Sequence, residues 1–271
     1  MRFLLYNVRY CAGTGRRFHL PFPGSGYLRK TTGNLGRITE FIQSLAPDIA
    51  GLVEVDSGSF RSRRQNQAEV IARAIGCYHS YQSKYADESF MQILPLANKQ
   101  VNAFLSNDRI QNEKFHYFDR GVKRLVIELE LENLTLFLVH LSLKFRHRYD
   151  QLRELCKLVN RVQKPHIVAG DFNALWGEGE VHWFLAATGL VSANASDLPT
   201  YPSWAPKRQL DFILHSREIK VTRFHMPRVK LSDHLPLVCD FEIEGVRGRG
   251  AGRTPPSEER AAKPRSAARP R

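Results

Sequence analysis

Two spacings of apolar residues alternate along the chain. Short runs rich in Val, Ile, Leu and Phe predict strands at Arg2–Tyr6, Ile49–Val53, Ala103–Ser106, Arg124–Leu131, Leu134–His140, His166–Ala169, Gln209–Leu214, Val221–His225 and Leu237–Ile243. Longer stretches with helical spacing predict helices over Asn34–Leu45, Asn66–Ile75, Arg148–Arg161 and Gly179–Thr188. In the first of these Leu35, Ile38, Ile42 and Leu45 form one apolar stripe, and Pro47 closes the helix. Asn133 separates two long apolar runs and reads as a hairpin turn. Many strands with fewer helices predict an α/β sandwich rather than a strictly alternating barrel.

Composition bounds this picture. The 271 residues are 42% hydrophobic, enough for one large core. From Val246 onward Gly, Pro, Ala and Arg replace large apolar side chains, so we expect a folded domain over 1–245 and a basic Gly/Pro/Arg-rich disordered tail over 246–271. The tail holds eight Lys/Arg and two Glu, so six of the thirteen net positive charges lie there. The remaining body is moderately basic, which suits a phosphate-bearing substrate, nucleic acid or a membrane surface.

Cys11, Cys77, Cys156 and Cys239 are far apart with no C-x-x-C pair, which argues against a disulfide framework or a zinc site and suits a cytoplasmic protein. The opening Met1-Arg2-Phe3-Leu4-Leu5-Tyr6 is too short for a signal peptide. No apolar stretch reaches the ~20 residues of a transmembrane segment, which leaves peripheral membrane contact open. No feature bears on oligomeric state.

The chemistry lies where apolar runs meet polar residues. Leu4-Leu5-Tyr6 runs into Asn7, Ala50-Gly51-Leu52-Val53 into Glu54, Leu136-Phe137-Leu138-Val139 into His140, and Ile167-Val168-Ala169-Gly170 into Asp171. Asp211 lies inside an apolar run, and Asp233-His234 precede another. One such residue is more often a turn or a satisfied core group, because an unpartnered buried polar group costs several kcal/mol. Six of them point instead to convergence at one end of the sheets. Asp171 and Asn173, at i and i+2, would face the same way on an extended segment, and Gly170 allows close backbone approach.

These residues carry a resemblance. Tyr6-Asn7-Val8-Arg9, Leu52-Val53-Glu54-Val55, Asn102-Ala103-Phe104-Leu105-Ser106, Val139-His140-Leu141, Gly170-Asp171-Phe172-Asn173-Ala174, Leu210-Asp211-Phe212-Ile213 and Ser232-Asp233-His234-Leu235-Pro236-Leu237 follow one another in the chain. Together they resemble the endonuclease/exonuclease/phosphatase superfamily of deoxyribonuclease-I-like phosphoesterases. The resemblance implies a four-layer α/β sandwich, two packed mixed β-sheets flanked by helices. It implies Glu54 as principal metal ligand with Asn7 and Asp233, and Mg²⁺ as the ion, with Mn²⁺ able to substitute. Asp171 would orient or deprotonate water, Asn173 would hold a phosphoryl oxygen, Asp211 would orient His234, and His140 would be a second imidazole donor. His234 is left as either phosphate contact or base.

Departures from family subtypes narrow the substrate. Val53-Glu54-Val55-Asp56 lacks the Gln-Glu-x-Lys of abasic-site endonucleases, and His140 stands where those enzymes usually have Tyr. The Gly/Pro/aromatic segment Cys11–Lys30, the Arg61/Arg63/Arg64 cluster, the Lys144-to-Arg148 run and the loop Tyr201–Arg208 flank the expected site, with Asn102, Arg148 and Trp204 as substrate contacts. The first substrate expectation is a nucleic-acid phosphodiester. The alternative is a phospholipid headgroup, an inositol phosphate or another small phosphate ester.

Overall fold

The computed structural model describes residues 1–14, 31–83, 97–175 and 179–244. The tail 246–271 and most of the Cys11–Lys30 segment lie outside these.

Two six-stranded sheets form the centre. The first comprises β1 (Arg2–Asn7), β2 (Ile49–Asp56), β3 (Tyr78–Ser83), β4 (Gln100–Ser106), β11 (Ile219–His225) and β12 (Leu237–Ile243), in the order β11-β12-β1-β2-β4-β3. The second comprises β5 (Asn112–Tyr117), β6 (Leu125–Glu130), β7 (Thr135–His140), β8 (His166–Asp171), β9 (Val191–Ser192) and β10 (Asp211–His215), in the order β5-β6-β7-β8-β10-β9. Each sheet has a parallel pair in its middle, β1 with β2 and β7 with β8, and antiparallel strands around it. The hairpin expected at Asn133 joins β6 to β7, closed by Leu131 N–H donating to the Leu134 carbonyl at 2.8 Å.

Strand alternation sorts the apolar side chains into three cores. Phe3, Leu5, Val53, Leu136, Leu138 and Ile213 pack between the sheets. Leu4, Tyr6, Leu52 and Val55 face α1 (Thr32–Leu45) and α2 (Gln67–Ile75). Phe137, Val139, Val168 and Phe212 face α3 (Phe145–Val159) and α4 (Gly179–Thr188). Helix, sheet, sheet and helix make the expected four layers. Each fully buried Leu or Phe contributes about 1.5–3 kcal/mol, so these cores dominate the folding energy.

The differences from the sequence pattern have physical reasons. The pattern does not predict β3, β5 or β9. Tyr-His-Ser-Tyr-Gln-Ser and Asn-Glu-Lys-Phe-His-Tyr are edge strands with no position reading as a continuous apolar run, and β9 has two residues. Helix α3 starts at Phe145, before the expected Arg148, because Arg148 itself occupies the buried face with Gln151, Leu152, Leu155 and Val159. Strand β2 does not end at Val53. It continues to Asp56 through a bulge between Leu52 and Val55, with Glu54 at φ 58°. Val53 follows the alternation into the inter-sheet core, and the extra residue then switches it, so Val55 packs toward the helices on the side of Leu52. Without the bulge Glu54 would share the face of Leu52 under α1 and α2.

Gly170 has φ 152°, and a Cβ there would lie 1.9 Å from the Val139 carbonyl oxygen of the adjacent parallel strand. The β7–β8 register pairs Val139 with Gly170 and His140 with Asp171. Gly170→Ala should therefore destabilise the protein by about 3 kcal/mol or more, since the clash is with backbone. Urea denaturation checks this, and an unchanged midpoint would contradict the packing described here.

Candidate active site

Strand register sets the site out in a row. In the second sheet His140, Asp171 and Asp211 are direct neighbours, because β7 pairs His140 with Asp171 and β8 pairs Asp171 with Asp211. The first sheet brings Asn7 at the end of β1 beside Val53, next to Glu54. The turn Ser232-Asp233-His234 before β12 closes the group, held by Ser203 N–H to the Asp233 carbonyl at 2.7 Å and Leu235 N–H to the Thr200 carbonyl at 2.9 Å.

Asp171 is the common partner. Its Oδ1 accepts from Asn173 N–H at 2.9 Å, and its Oδ2 accepts from Asn7 Nδ2 at 3.1 Å. His140 Nε2 lies 3.4 Å and His234 Nε2 4.0 Å from the same Oδ2. Burial pushes the Asp171 carboxyl up to about 6; the positive field of His234 opposes this, and Asp211 adds to it. His234 Nδ1 donates to Asp211 Oδ2 at 2.7 Å, and Asp211 in turn accepts from Thr200 Oγ1 at 2.7 Å. Burial alone would lower the His234 pKa. The charge of Asp211 and its hydrogen bond, with Asp171 and Asp233 beyond, outweigh burial and push it up to about 10. Tyr201 packs on the imidazole with ring centroids 4.9 Å apart.

The Asp171–Asn173 pair meets differently from the sequence expectation. Strand β8 stops at Asp171, and Asn173 adopts φ 53°, so a turn rather than strand alternation brings the two together. Asn173 Nδ2 donates to the Leu141 carbonyl at 2.8 Å, which fixes the turn against the end of β7. Asn102 is fully buried. Its Oδ1 accepts from Glu54 N–H at 3.3 Å and holds the bulge, while its Nδ2 has no hydrogen-bond partner among the described residues.

Two expected basic contacts are spent elsewhere. Arg148 is buried, bonded to Glu180 and donating to the carbonyls of Ser142 and Leu143 at 3.0 and 2.9 Å. It braces α3 against α4, which corrects its assignment to substrate. Arg61 is buried in an ion pair with Asp56 at 2.9 Å and lies over the Tyr10 ring, so it does not belong to a basic mouth. Arg63 and Arg64 are exposed, and Trp204 is 37% exposed on the loop beside Ser203.

Three neighbours were not singled out by sequence reasoning. Lys123 sits between the sheets' ends, bonded to His140 Nε2 and 3.8 Å from Glu54 Oε1. Arg9 pairs with Asp233 Oδ2 at 3.2 Å. Thr200 orients Asp211, as above. Arg9 was within a recognised segment, but no local signal marked Lys123 or Thr200, whose roles arise from loops returning to the site.

The donor set fits a divalent cation. Carboxylate oxygens of Asp171 and Asp211 lie within 4.8 Å of each other, and Asp211 Oδ1 is buried with no hydrogen-bond partner among the described residues. Glu54 and Asp233 bring two more carboxylates to this end, and Asn7 offers an amide oxygen that accepts from Arg9 N–H at 3.1 Å. An oxygen-rich set of this kind suits a hard cation.

Residues 4–234 match the Endonuclease/Exonuclease/phosphatase family, and the chain belongs to that family. Members of that family hydrolyse phosphoester bonds, typically with a divalent metal. The chain is 28% identical to the Escherichia coli protein YbhP over 163 residues, 52% of this chain and 62% of that one, thus less than two thirds of the relative's length. An endonuclease/exonuclease/phosphatase structure from Beutenbergia cavernae superposes with TM-score 0.66 at 17% identity, covering 90% of this chain and 71% of the other. The human Nocturnin catalytic domain superposes with TM-score 0.64 at 22% identity, covering 90% and 94%.

In metal-free protein the raised His234 pKa has a definite sign. The ion pair stabilises the fold fully below the ordinary imidazole value of 6.5, and that contribution is lost as pH rises through about 10. Urea denaturation in EDTA should show unfolding free energy falling across this range. His234→Gln should flatten the slope, and an unchanged slope in the variant would assign the titration elsewhere.

Proposed function

We propose that this protein is a Mg²⁺-dependent phosphodiesterase that hydrolyses its substrate by in-line attack of water. The observation that carries the reading is the buried Asp171 carboxylate, pushed up to about 6, beside the Asp211–His234 dyad. A base poised near neutrality combines usefully with an imidazolium that stays charged. In this reading Asp171 takes the proton of the attacking water as the water oxygen bonds phosphorus. The bond from phosphorus to the leaving oxygen breaks, and that oxygen takes a proton from solvent water, while Asp171 later returns its proton to solvent. His234, locked by Asp211, holds its Nε2–H toward the phosphoryl oxygens and opposes their developing charge. Asn102 Nδ2 and Lys123 add donors on the Glu54 side, and His140 faces the same carboxylate from the β7 end.

Glu54, Asn7 and Asp233 would hold the ion, with Asp171 and Asp211 close by. When bound, Mg²⁺, or Mn²⁺ in its place, polarises a phosphoryl oxygen and neutralises charge. The sulfate in the Nocturnin catalytic domain is a tetrahedral anion in a protein of the same fold, which supports phosphoryl chemistry in this site.

The bond assigned is a phosphodiester. Nucleic acid, the first expectation from the basic composition, loses support because Arg61 and Arg148 are held in buried ion pairs. The phospholipid or small-ester reading does not depend on those cations.

The test is hydrolysis of bis-p-nitrophenyl phosphate, plasmid DNA, RNA, phospholipids and inositol phosphates with and without EDTA. Asp171→Ala and His234→Ala should each lower kcat about a hundredfold or more on whichever substrate is cleaved. Full activity in either variant, or no EDTA-sensitive cleavage by wild type, would refute the assignment. Glu54→Gln should instead raise the metal concentration giving half-maximal activity by about tenfold or more. An unchanged metal requirement would remove Glu54 from the ion's shell.

A further inference from the structure

Ten large apolar side chains are exposed among the described residues, and they are unevenly placed. Five of them, Phe60, Val122, Leu143, Phe145 and Trp204, lie in segments that adjoin residues of the candidate site in sequence, Phe145 at the start of α3. Phe60 follows β2 beyond Glu54, Val122 adjoins Lys123, Leu143 and Phe145 follow His140, and Trp204 adjoins Ser203. The first four are more than half exposed. Single exposed apolar residues need no explanation, but five in segments that adjoin residues of one site do.

These loops are braced. Gln151 Nε2 donates to the carbonyls of Arg120 and Lys123 at 2.9 and 2.7 Å, and Ser142 N–H donates to Gln151 Oε1 at 2.9 Å. One buried amide thus ties the Val122 turn to the Leu143 segment.

Their charge surroundings narrow the partner. The same loops carry exposed Arg63, Arg64, Lys144, Arg146 and Lys207, and within 57–66, 119–124, 141–149 and 201–208 Asp119 is the only acidic residue. A collar of cations behind apolar tips matches a bilayer interface, where the tips enter the hydrocarbon boundary and the cations meet anionic headgroups. A single-stranded nucleic acid would need open aromatic faces. Val122 and Leu143 have none, Phe145 is stacked on Tyr149 with centroids 6.3 Å apart, and Phe60 and Trp204, the other exposed aromatics of the set, stand on separate segments rather than as a continuous stacking platform.

We propose that this rim docks the protein on an anionic phospholipid surface, so that the site opens onto phosphodiesters held in lipid headgroups. The proposal rests on the reading of the site as a phosphodiesterase centre only for its choice of substrate. The docking itself needs neither metal nor turnover.

The experiment is co-sedimentation of the full chain with vesicles of phosphatidylcholine, with and without phosphatidylglycerol. Wild type should bind the mixed vesicles and lose binding as salt rises. Leu143→Glu/Phe145→Glu should weaken binding about tenfold or more, with circular dichroism and cleavage of bis-p-nitrophenyl phosphate unchanged. Lys144→Ala/Arg146→Ala should lose the preference for phosphatidylglycerol. Tryptophan fluorescence of wild type should be quenched by brominated acyl chains, a readout independent of any variant. No vesicle binding by wild type, unchanged binding in the double glutamate variant, or no quenching would each overturn the proposal. So would tighter binding to a single-stranded oligonucleotide that Phe145→Glu abolishes. Vesicle binding without hydrolysis of any diester would sink the hydrolase reading and leave docking standing; hydrolysis without vesicle binding would do the reverse.

Discussion

One buried carboxylate organises this molecule. Asp171 receives hydrogen bonds from Asn7 of one sheet and from the backbone of Asn173 beyond the other, and it faces both His140 and His234. A carboxylate without these partners would be costly in a protein interior. With them, it links the ends of two sheets whose shared core is otherwise purely apolar. The arrangement depends on Gly170, since only a residue without Cβ lets β8 run this close to the Val139 carbonyl. Stability and site geometry are therefore coupled at the same backbone position.

The electrostatics follow from crowding. Glu54, Asp171, Asp211 and Asp233 are gathered at one end with Lys123, Arg9 and two imidazoles among them. The charges are nearly balanced without an ion, yet the oxygen atoms remain grouped as a hard cation requires. Burial raises Asp171 while the Asp211 charge holds His234 protonated, which separates the two groups into a base and a cation. In the proposed mechanism His234 accordingly makes the phosphate contact rather than acting as the base.

The four layers and most strands were legible because a strand buried on both faces reads as a continuous apolar run. Edge strands β3 and β5 were not, since their outer sides meet water and their compositions resemble loops. Among site residues, Asn7, His140, Asp171 and Asp211 stood out because each interrupts or ends such a run. A different reading, of basic clusters flanking the site, placed Arg148 and Arg61 at a basic mouth, where the structure does not put them. A buried arginine paired with a buried carboxylate looks, in one dimension, like any surface cation, and only the partners Glu180 and Asp56 distinguish it.

What the amino-acid order determined alone is the family and its layered α/β fold, because motif residues and apolar period are local properties. Tertiary structure decided where the side chains point. The bulge at Glu54 and the left-handed turn at Asn173 each add or redirect one residue, and neither has a local apolar signal. Tertiary structure also recruited Lys123 and Thr200, which lie far in sequence from the groups they touch. Those contacts depend on strand order and register across two sheets, and that long-range pairing is what a reading along the chain does not contain.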